Sequence, residues 1–233
     1  MNLIVSFTFL FFVGAISGWL IEILFRRIFT AKKWINPGFL NGPWLPLYGF
    51  GLCLLYLLSN IKIVDSGWNY VLIILIMIVV LTLIELIAGY IFIIGLNIKL
   101  WDYSSRWGNF KGLICPLFSL LWGLAGAAYL FLLHPHMVVV VNWVVEHITY
   151  SFFLGIILGI FIIDNAISFN VATVIRKAAK NSKIIVHYEE LKLSIRNQLK
   201  DLKKRSSFLL PFKSSITMSE LIERYKSFRN KKD

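Results

Sequence analysis

From Val71 to Ile98 the chain carries one charged residue, Glu85, in an otherwise almost unbroken apolar run. About 20 such residues suffice to cross roughly 30 Å of hydrocarbon as a helix. In lipid a helix is one of the few structures that satisfies its own backbone polar groups. The rest of the chain leads the same way. Its 233 residues are 58% hydrophobic and 15% charged, which excludes a soluble globular domain. Disorder is excluded for the first three quarters on the same ground.

Five stretches are long enough to span, at about 3–25, 39–58, 71–98, 113–133 and 148–167. The expected fold class is therefore all-α, a polytopic membrane helix bundle. Residues 1–175 form a five-span transmembrane domain and 176–233 a basic cytoplasmic helical tail. The third stretch exceeds what a bilayer needs and should tilt or protrude. An unbroken helix from Val138 to Ile175 would be roughly 57 Å long, so Met137 to Val145 is expected to be an interfacial segment.

Basic residues set the orientation. The first loop holds Arg26, Arg27, Lys32 and Lys33, and the third holds Lys99, Arg106 and Lys111. The second has only Lys62, and the fourth, around His134-Pro135-His136, has none. This bias puts the N-terminus outside and the C-terminus in the cytoplasm. From Arg176 onward lie 16 of the 24 Lys and Arg with 6 of the 12 acidic residues, so the tail holds +10 of the net +12. Charge placed after the last span attracts anionic headgroups rather than nucleic acid. Met1-Asn2-Leu3-Ile4 lacks the positive region and cleavage site of a signal peptide. Within the tail, Ile184, Tyr188, Leu191, Ile195, Leu199 and Leu202 recur as one helical face, with Lys192, Arg196, Lys200 and Lys203 expected off it. Thr217-Met218-Ser219-Glu220 reads as a capping box opening a shorter helix. Either helix could lie on the anionic inner leaflet, self-associate or dock a partner, with membrane-surface packing the plainer expectation.

Ionisable groups inside a bilayer are costly and each needs a reason. Glu22 lies four residues before Arg26, so a snorkelling pair competes evenly with a functional role. Glu85 and Asp164 have no such neighbour. All three acids fall in the cytoplasmic half of their spans, which argues for one inward-facing polar site. The segment Asn36-Pro37-Gly38-Phe39-Leu40-Asn41-Gly42-Pro43 has too many breakers for a regular helix. Irregular backbone at that depth is tolerated only when buried in protein or lining a cavity. If the following helix began at Pro43, Asn41 and Tyr48 would share a face. Substrate-binding candidates are thus Glu22, Glu85, Asp164, Asn41 and Tyr48. Arg26, Asp102, Arg106 and Asn109 are candidates for contacts in the cytoplasmic loops. Interfacial anchoring is the plainer reading of the aromatics around Asp102.

An echo links Gly42-Pro43-Trp44-Leu45-Pro46-Leu47-Tyr48 to Gly112-Leu113-Ile114-Cys115-Pro116-Leu117-Phe118, each following a basic loop. A duplicated hairpin and chance recurrence are about equally good accounts. Gly14-x-x-x-Gly18 and Gly155-x-x-x-Gly159 read as close-approach surfaces for helices. Cys53 and Cys115 read as buried hydrophobes, and His134, His136 and His147 as outer-surface residues, so neither metal nor cofactor is expected. P-loop, G-x-S-x-G and H-E-x-x-H motifs are absent, and the chain is not expected to be an enzyme of those kinds.

Gly18-Trp19-Leu20-Ile21-Glu22 and Gly38-Phe39-Leu40-Asn41-Gly42-Pro43-Trp44-Leu45-Pro46-Leu47-Tyr48-Gly49 resemble a bacterial integral-membrane family. So do Trp101-Asp102-Tyr103-Ser104, Asn109-Phe110-Lys111-Gly112 and Trp122-Gly123. The family is titled "putative ABC-transporter type IV" permease, or CmpB-like. This chain has Asn36-Pro37-Gly38 where the family's Asn-Arg-Gly is expected, and so lacks that arginine. The resemblance implies transport, with a separate ATPase subunit as partner. Five spans are few, so a homo-oligomer or partner subunit is expected. Two alternatives compete with a permease. One is a structural or regulatory membrane protein whose tail binds anionic lipid or a partner; the other is an inner-leaflet lipid-modifying enzyme.

Overall fold

The computed structural model describes residues 2–29, 32, 34–181 and 185–201. Helix α1 spans Leu3–Ile28, α2 Pro46–Ser59 and α3 Trp68–Leu96. Strand β1 is Ile98–Lys99. Helix α4, Pro116–Ala128, passes through a π turn, Tyr129–Leu133, into α5, His134–Glu146. A 3-10 turn, Ile148–Tyr150, leads into α6, Ser151–Asn181; β2, Val186–His187, precedes α7, Tyr188–Asp201.

Four helical stretches are long and apolar enough to cross a membrane: Leu3–Ile28, Trp68–Leu96, Pro116–Glu146 and Ile148–Lys177. The chain is thus a multi-pass membrane protein. The second expected stretch differs. Residues 34–45 are non-helical, as the breakers predict, and only the 14 residues of α2 are helical. That helix is about 21 Å long, short of the hydrocarbon thickness. Its start has a local cause. Leu45 precedes a proline, which disfavours helical backbone, and sits extended at φ −117° and ψ 98°. Pro46 then opens the helix, where its missing N–H costs nothing. Cys115 and Pro116 repeat this arrangement at the start of α4, with Cys115 at φ −152° and ψ 156°. Both halves of the sequence echo therefore end in an extended residue and a proline-led helix.

Residues 137–145, expected to lie at the interface, instead continue the α4 helix. Pro135 would interrupt an α-helix by removing an i→i−4 bond. Here the π turn just before it widens the ladder, so the proline falls in the first turn of α5. The chain breaks later, at His147, whose ψ of 61° is not helical.

Two compact units divide the chain. The first comprises Met1–Trp19, Trp44–Ala88 and Asp102–Ile160. Leu10, Leu55, Met77, Leu81, Tyr129 and Val141 lie at its core. Gly14 and Gly18 of α1 let α2 approach: a Cβ on Gly18 would sit 2.2 Å from the Tyr48 ring, and one on Gly14 2.6 Å from the Tyr48 carbonyl oxygen. Gly155 and Gly159 differ from expectation, since nothing lies within 4 Å of a Cβ built on either.

The second unit comprises Leu20–Pro43, Gly89–Trp101 and Phe161–Asp233. Strands β1 and β2 pair in parallel, Ile98 with Val186 and Lys99 with His187. In α7, Tyr188, Leu191 and Ile195 are buried, so the amphipathic face packs into protein instead of lying on a membrane surface. Lys192 is buried with them, contrary to expectation. It lies four residues after Tyr188 and one after Leu191, on the same side of the helix. The side chains of Arg196, Leu199 and Lys200, together with Ile184, Leu202, Lys203 and the capping box at Thr217, lie outside the described residues.

Candidate functional site

Each unit contains a polar centre at a buried carboxylate carried by a span-length helix. In the first, Glu85 sits on α3 and is 3% exposed. Its Oε1 accepts a hydrogen bond from the Tyr103 hydroxyl at 2.9 Å, and its Oε2 one from the Trp122 indole N–H at 3.0 Å. Both donors are neutral, so they orient the carboxylate without adding a countercharge.

Tyr103 is held by a folded loop. Its ring stacks on Phe118 with centroids 4.3 Å apart, and its N–H donates to the Gly112 carbonyl at 2.8 Å. Asn109 fastens that loop: its amide donates to the carbonyls of Ser104 and Arg106, and its oxygen accepts from the Gly112 N–H. Asp102 accepts from the backbone N–H and hydroxyl of Ser104. Tyr48 meets the edge of Trp122 at 5.5 Å and reaches Glu85 through that ring.

In the second unit Asp164 is 9% exposed on α6. Its Oδ1 accepts from the Asn41 N–H at 3.1 Å and its Oδ2 from the Gly42 N–H at 2.8 Å. Ser168 donates to Oδ1 at 3.3 Å and accepts from the Asn41 amide at 2.8 Å. The carboxylate thereby satisfies two amides of a segment that has no helix to satisfy them. The carbonyls of the same segment find other partners. Lys192 Nζ donates to Asn36 O at 3.1 Å and Gly38 O at 2.8 Å, and the Tyr188 hydroxyl to Phe39 O at 3.3 Å. Asn36 spans the turn, donating to the carbonyls of Leu40 and Asn41. Gly38 supplies the φ of 74° this path needs. Phe39 is packed among Phe92, Phe169 and Tyr188.

Of the sequence candidates, Asn41 and Asp164 are in direct contact, and Glu22 bonds Arg26 at 3.0 Å. Arg26 also pairs with Glu189 of α7. Glu85 and Tyr48 belong to the first unit, and Glu22, Asn41 and Asp164 to the second. Asn41 lies outside the helix that carries Tyr48, because that helix begins at Pro46. Sequence reasoning missed Tyr103, Trp122, Lys192 and Glu189. Polar-tipped aromatics in quoted family blocks were a usable signal for the first two. For Lys192 the signal was its i,i+4 spacing from Tyr188.

Residues 9–169 match the family described as "Putative ABC-transporter type IV". The chain belongs to this family. No curated protein and no solved structure matches it. The ABC-transporter type IV match takes in Glu22, Asn41, Glu85, Tyr103, Trp122 and Asp164. It ends before α7, so Glu189 and Lys192 lie outside the family segment.

Proposed function

We propose that the chain is the membrane-spanning permease subunit of an ABC-type transporter in a bacterial cytoplasmic membrane. It has five spans, with the short α2 counted as the second beside the four span-length helical stretches, its N-terminus outside and its tail in the cytoplasm. Inward-facing polar groups carry recognition, Glu85 with Tyr48 in the first unit and, separately, Asp164 with Asn41 and Glu22 in the second. A separate ATPase subunit provides the energy, and loop residues Asp102, Arg106 and Asn109, with Arg26, lie on the side it approaches.

The observation that carries this reading is the family match, which includes both buried carboxylates and their partners. The carboxylates add chemical content. A buried Glu that accepts from Tyr103 and Trp122 offers a carboxyl group to a cationic or proton-bearing ligand. Losing a charge-assisted contact of ~1.5–3 kcal/mol corresponds to roughly a ten- to hundredfold loss of affinity.

The test is purification of the tagged full chain from native membranes in mild detergent, with identification of what accompanies it. A stoichiometric nucleotide-binding ATPase is expected; a homo-oligomer alone would overturn the permease reading. In cells, Glu85→Gln and Asp164→Asn should impair the growth the protein supports, while deleting residues 202–233 should be tolerated. The reverse pattern would favour a structural role for the tail.

A further inference from the structure

Trp107 is 87% exposed and stacks on no ring among the described residues. Phe110, three residues on, is exposed as well, and the exposed Arg106 and Lys111 flank the two rings. Among the described residues the Arg106 guanidinium has no ion pair. The Lys111 amine lies 5.6 Å over the Phe110 ring. Asp102, the acid of this loop, accepts from Ser104 within its own turn, which leaves the two basic groups beside the aromatics.

These side chains stand on an ordered frame. Besides the bonds of Tyr103 and Asn109, the Arg106 N–H donates to the Tyr103 carbonyl at 2.8 Å and the Phe110 N–H to that of Ile114 at 2.9 Å. Gly108, Lys111 and Gly112 take left-handed φ values of 64°, 53° and 69°, which fold the loop tightly. Its tip turns back onto the membrane helix: a Cβ on Gly108 would lie 3.0 Å from the ring of Pro116, the first residue of α4. The stretch Pro116–Glu146 has 31 residues and is about 46 Å long. A bilayer with its headgroup layers measures roughly 40–45 Å. Pro116, with Trp107 close by, therefore falls at headgroup level.

We propose that the 103–112 loop is a docking surface for anionic phospholipid headgroups, with Trp107 inserted as the anchor and Arg106 and Lys111 on the phosphates. The chemistry of the three side chains selects this partner. An indole, apolar in its ring and polar at its N–H, suits the boundary between acyl chains and headgroups. A guanidinium presents a fork of donors to phosphate oxygens. Each basic residue near an anionic leaflet strengthens binding about fivefold, hence roughly thirtyfold for the pair. A loop already held by its own hydrogen bonds has little freedom left to lose on docking. The contact also bears on Glu85, because Tyr103, which donates to that carboxylate, opens the same loop. Lipid that seats the loop thus steadies the Glu85 centre. This surface goes beyond the permease reading and rests on it only for which leaflet the loop meets.

Hydrogen exchange on the full chain in nanodiscs tests it, comparing phosphatidylcholine alone with an equal mixture of phosphatidylcholine and phosphatidylglycerol. Peptides covering 103–114 should be better protected in the anionic discs, by up to roughly thirtyfold. Arg106→Gln combined with Lys111→Gln should abolish that difference. Trp107→Ala should be less protected than wild type in both lipids. Equal protection of the wild type in the two lipids overturns the proposal. So does a double variant that keeps the difference, which would assign the effect to the basic tail. Inorganic phosphate reproducing the protection in phosphatidylcholine discs would assign the surface to a soluble anion, and protection gained only with an added ATPase would assign it to a protein; either result also overturns it. The variants change exposed side chains, and the wild-type comparison decides alone if one fails to fold. Absence of an ATPase partner leaves the lipid dependence untouched, so this surface and the permease reading fail separately.

Discussion

At the level of single residues, Glu85 has a built-in asymmetry. Trp122 can only donate, so Oε2 remains an acceptor whatever the protonation state. Tyr103 can donate or accept, so its bond to Oε1 can reverse if the carboxyl gains a proton. The indole is therefore the fixed support and the phenol the adaptable one. Trp122→Phe leaves a buried carboxylate oxygen short of a donor, which costs about 1–3 kcal/mol. In a chain of this size that lowers Tm by roughly 2–12 °C. Thermal unfolding in detergent measures it, and adding Glu85→Leu should recover part of the loss. An unchanged Tm for Trp122→Phe would mean that the indole contact contributes nothing to the fold.

At the level of elements, two glycine pairs with the same spacing do different work. Gly14 and Gly18 lie under Tyr48 and Leu52, where added carbon overlaps atoms already in place. Gly155 and Gly159 face open space in the isolated chain. Gly18→Leu should therefore destabilise by about 1–3 kcal/mol or more through overpacking, while Gly155→Leu should leave the monomer's Tm nearly unchanged. Fluorescence-detected gel filtration after heating compares the two directly, and equal losses would refute the distinction.

The glycine spacing itself was readable in sequence; which pair is packed was not, because that depends on what another helix presents. The same limit runs through the fold. Apolar length revealed α1, α3 and α6, and Pro37, Gly38 and Pro43 revealed the unwound segment. The continuity of α4 into α5 was hidden, since it depends on a π turn absorbing Pro135. In the candidate site, burial cost pointed to Glu85 and Asp164. Apart from Ser168, one turn from Asp164, their partners come from positions 18 to 123 residues away, and no local pattern encodes such meetings.

For the whole molecule, the distribution of basic residues makes a topological prediction. Asp65 is highly exposed in the second loop, and Arg106 is exposed in the third. Asp65→Cys should react with a membrane-impermeant maleimide in intact cells. Arg106→Cys should react only after permeabilisation. Background labelling should be low, because Cys115 is buried and Cys53 partly so. Labelling of Arg106→Cys in intact cells would reverse the orientation.

The unwound segment also has a history in synthesis. Asn36 emerges from the ribosome 156 residues before the lysine that its carbonyl receives, and Gly38 waits 154. Asp164, which holds the amides of Asn41 and Gly42, arrives earlier. Assembly is therefore ordered in time, amide side first and carbonyl side last. A chain interrupted between Lys177 and Tyr188 would have its spans but keep three backbone oxygens, of Asn36, Gly38 and Phe39, without their native partners. Such a product is chemically distinguishable from the finished one at a single short stretch of backbone.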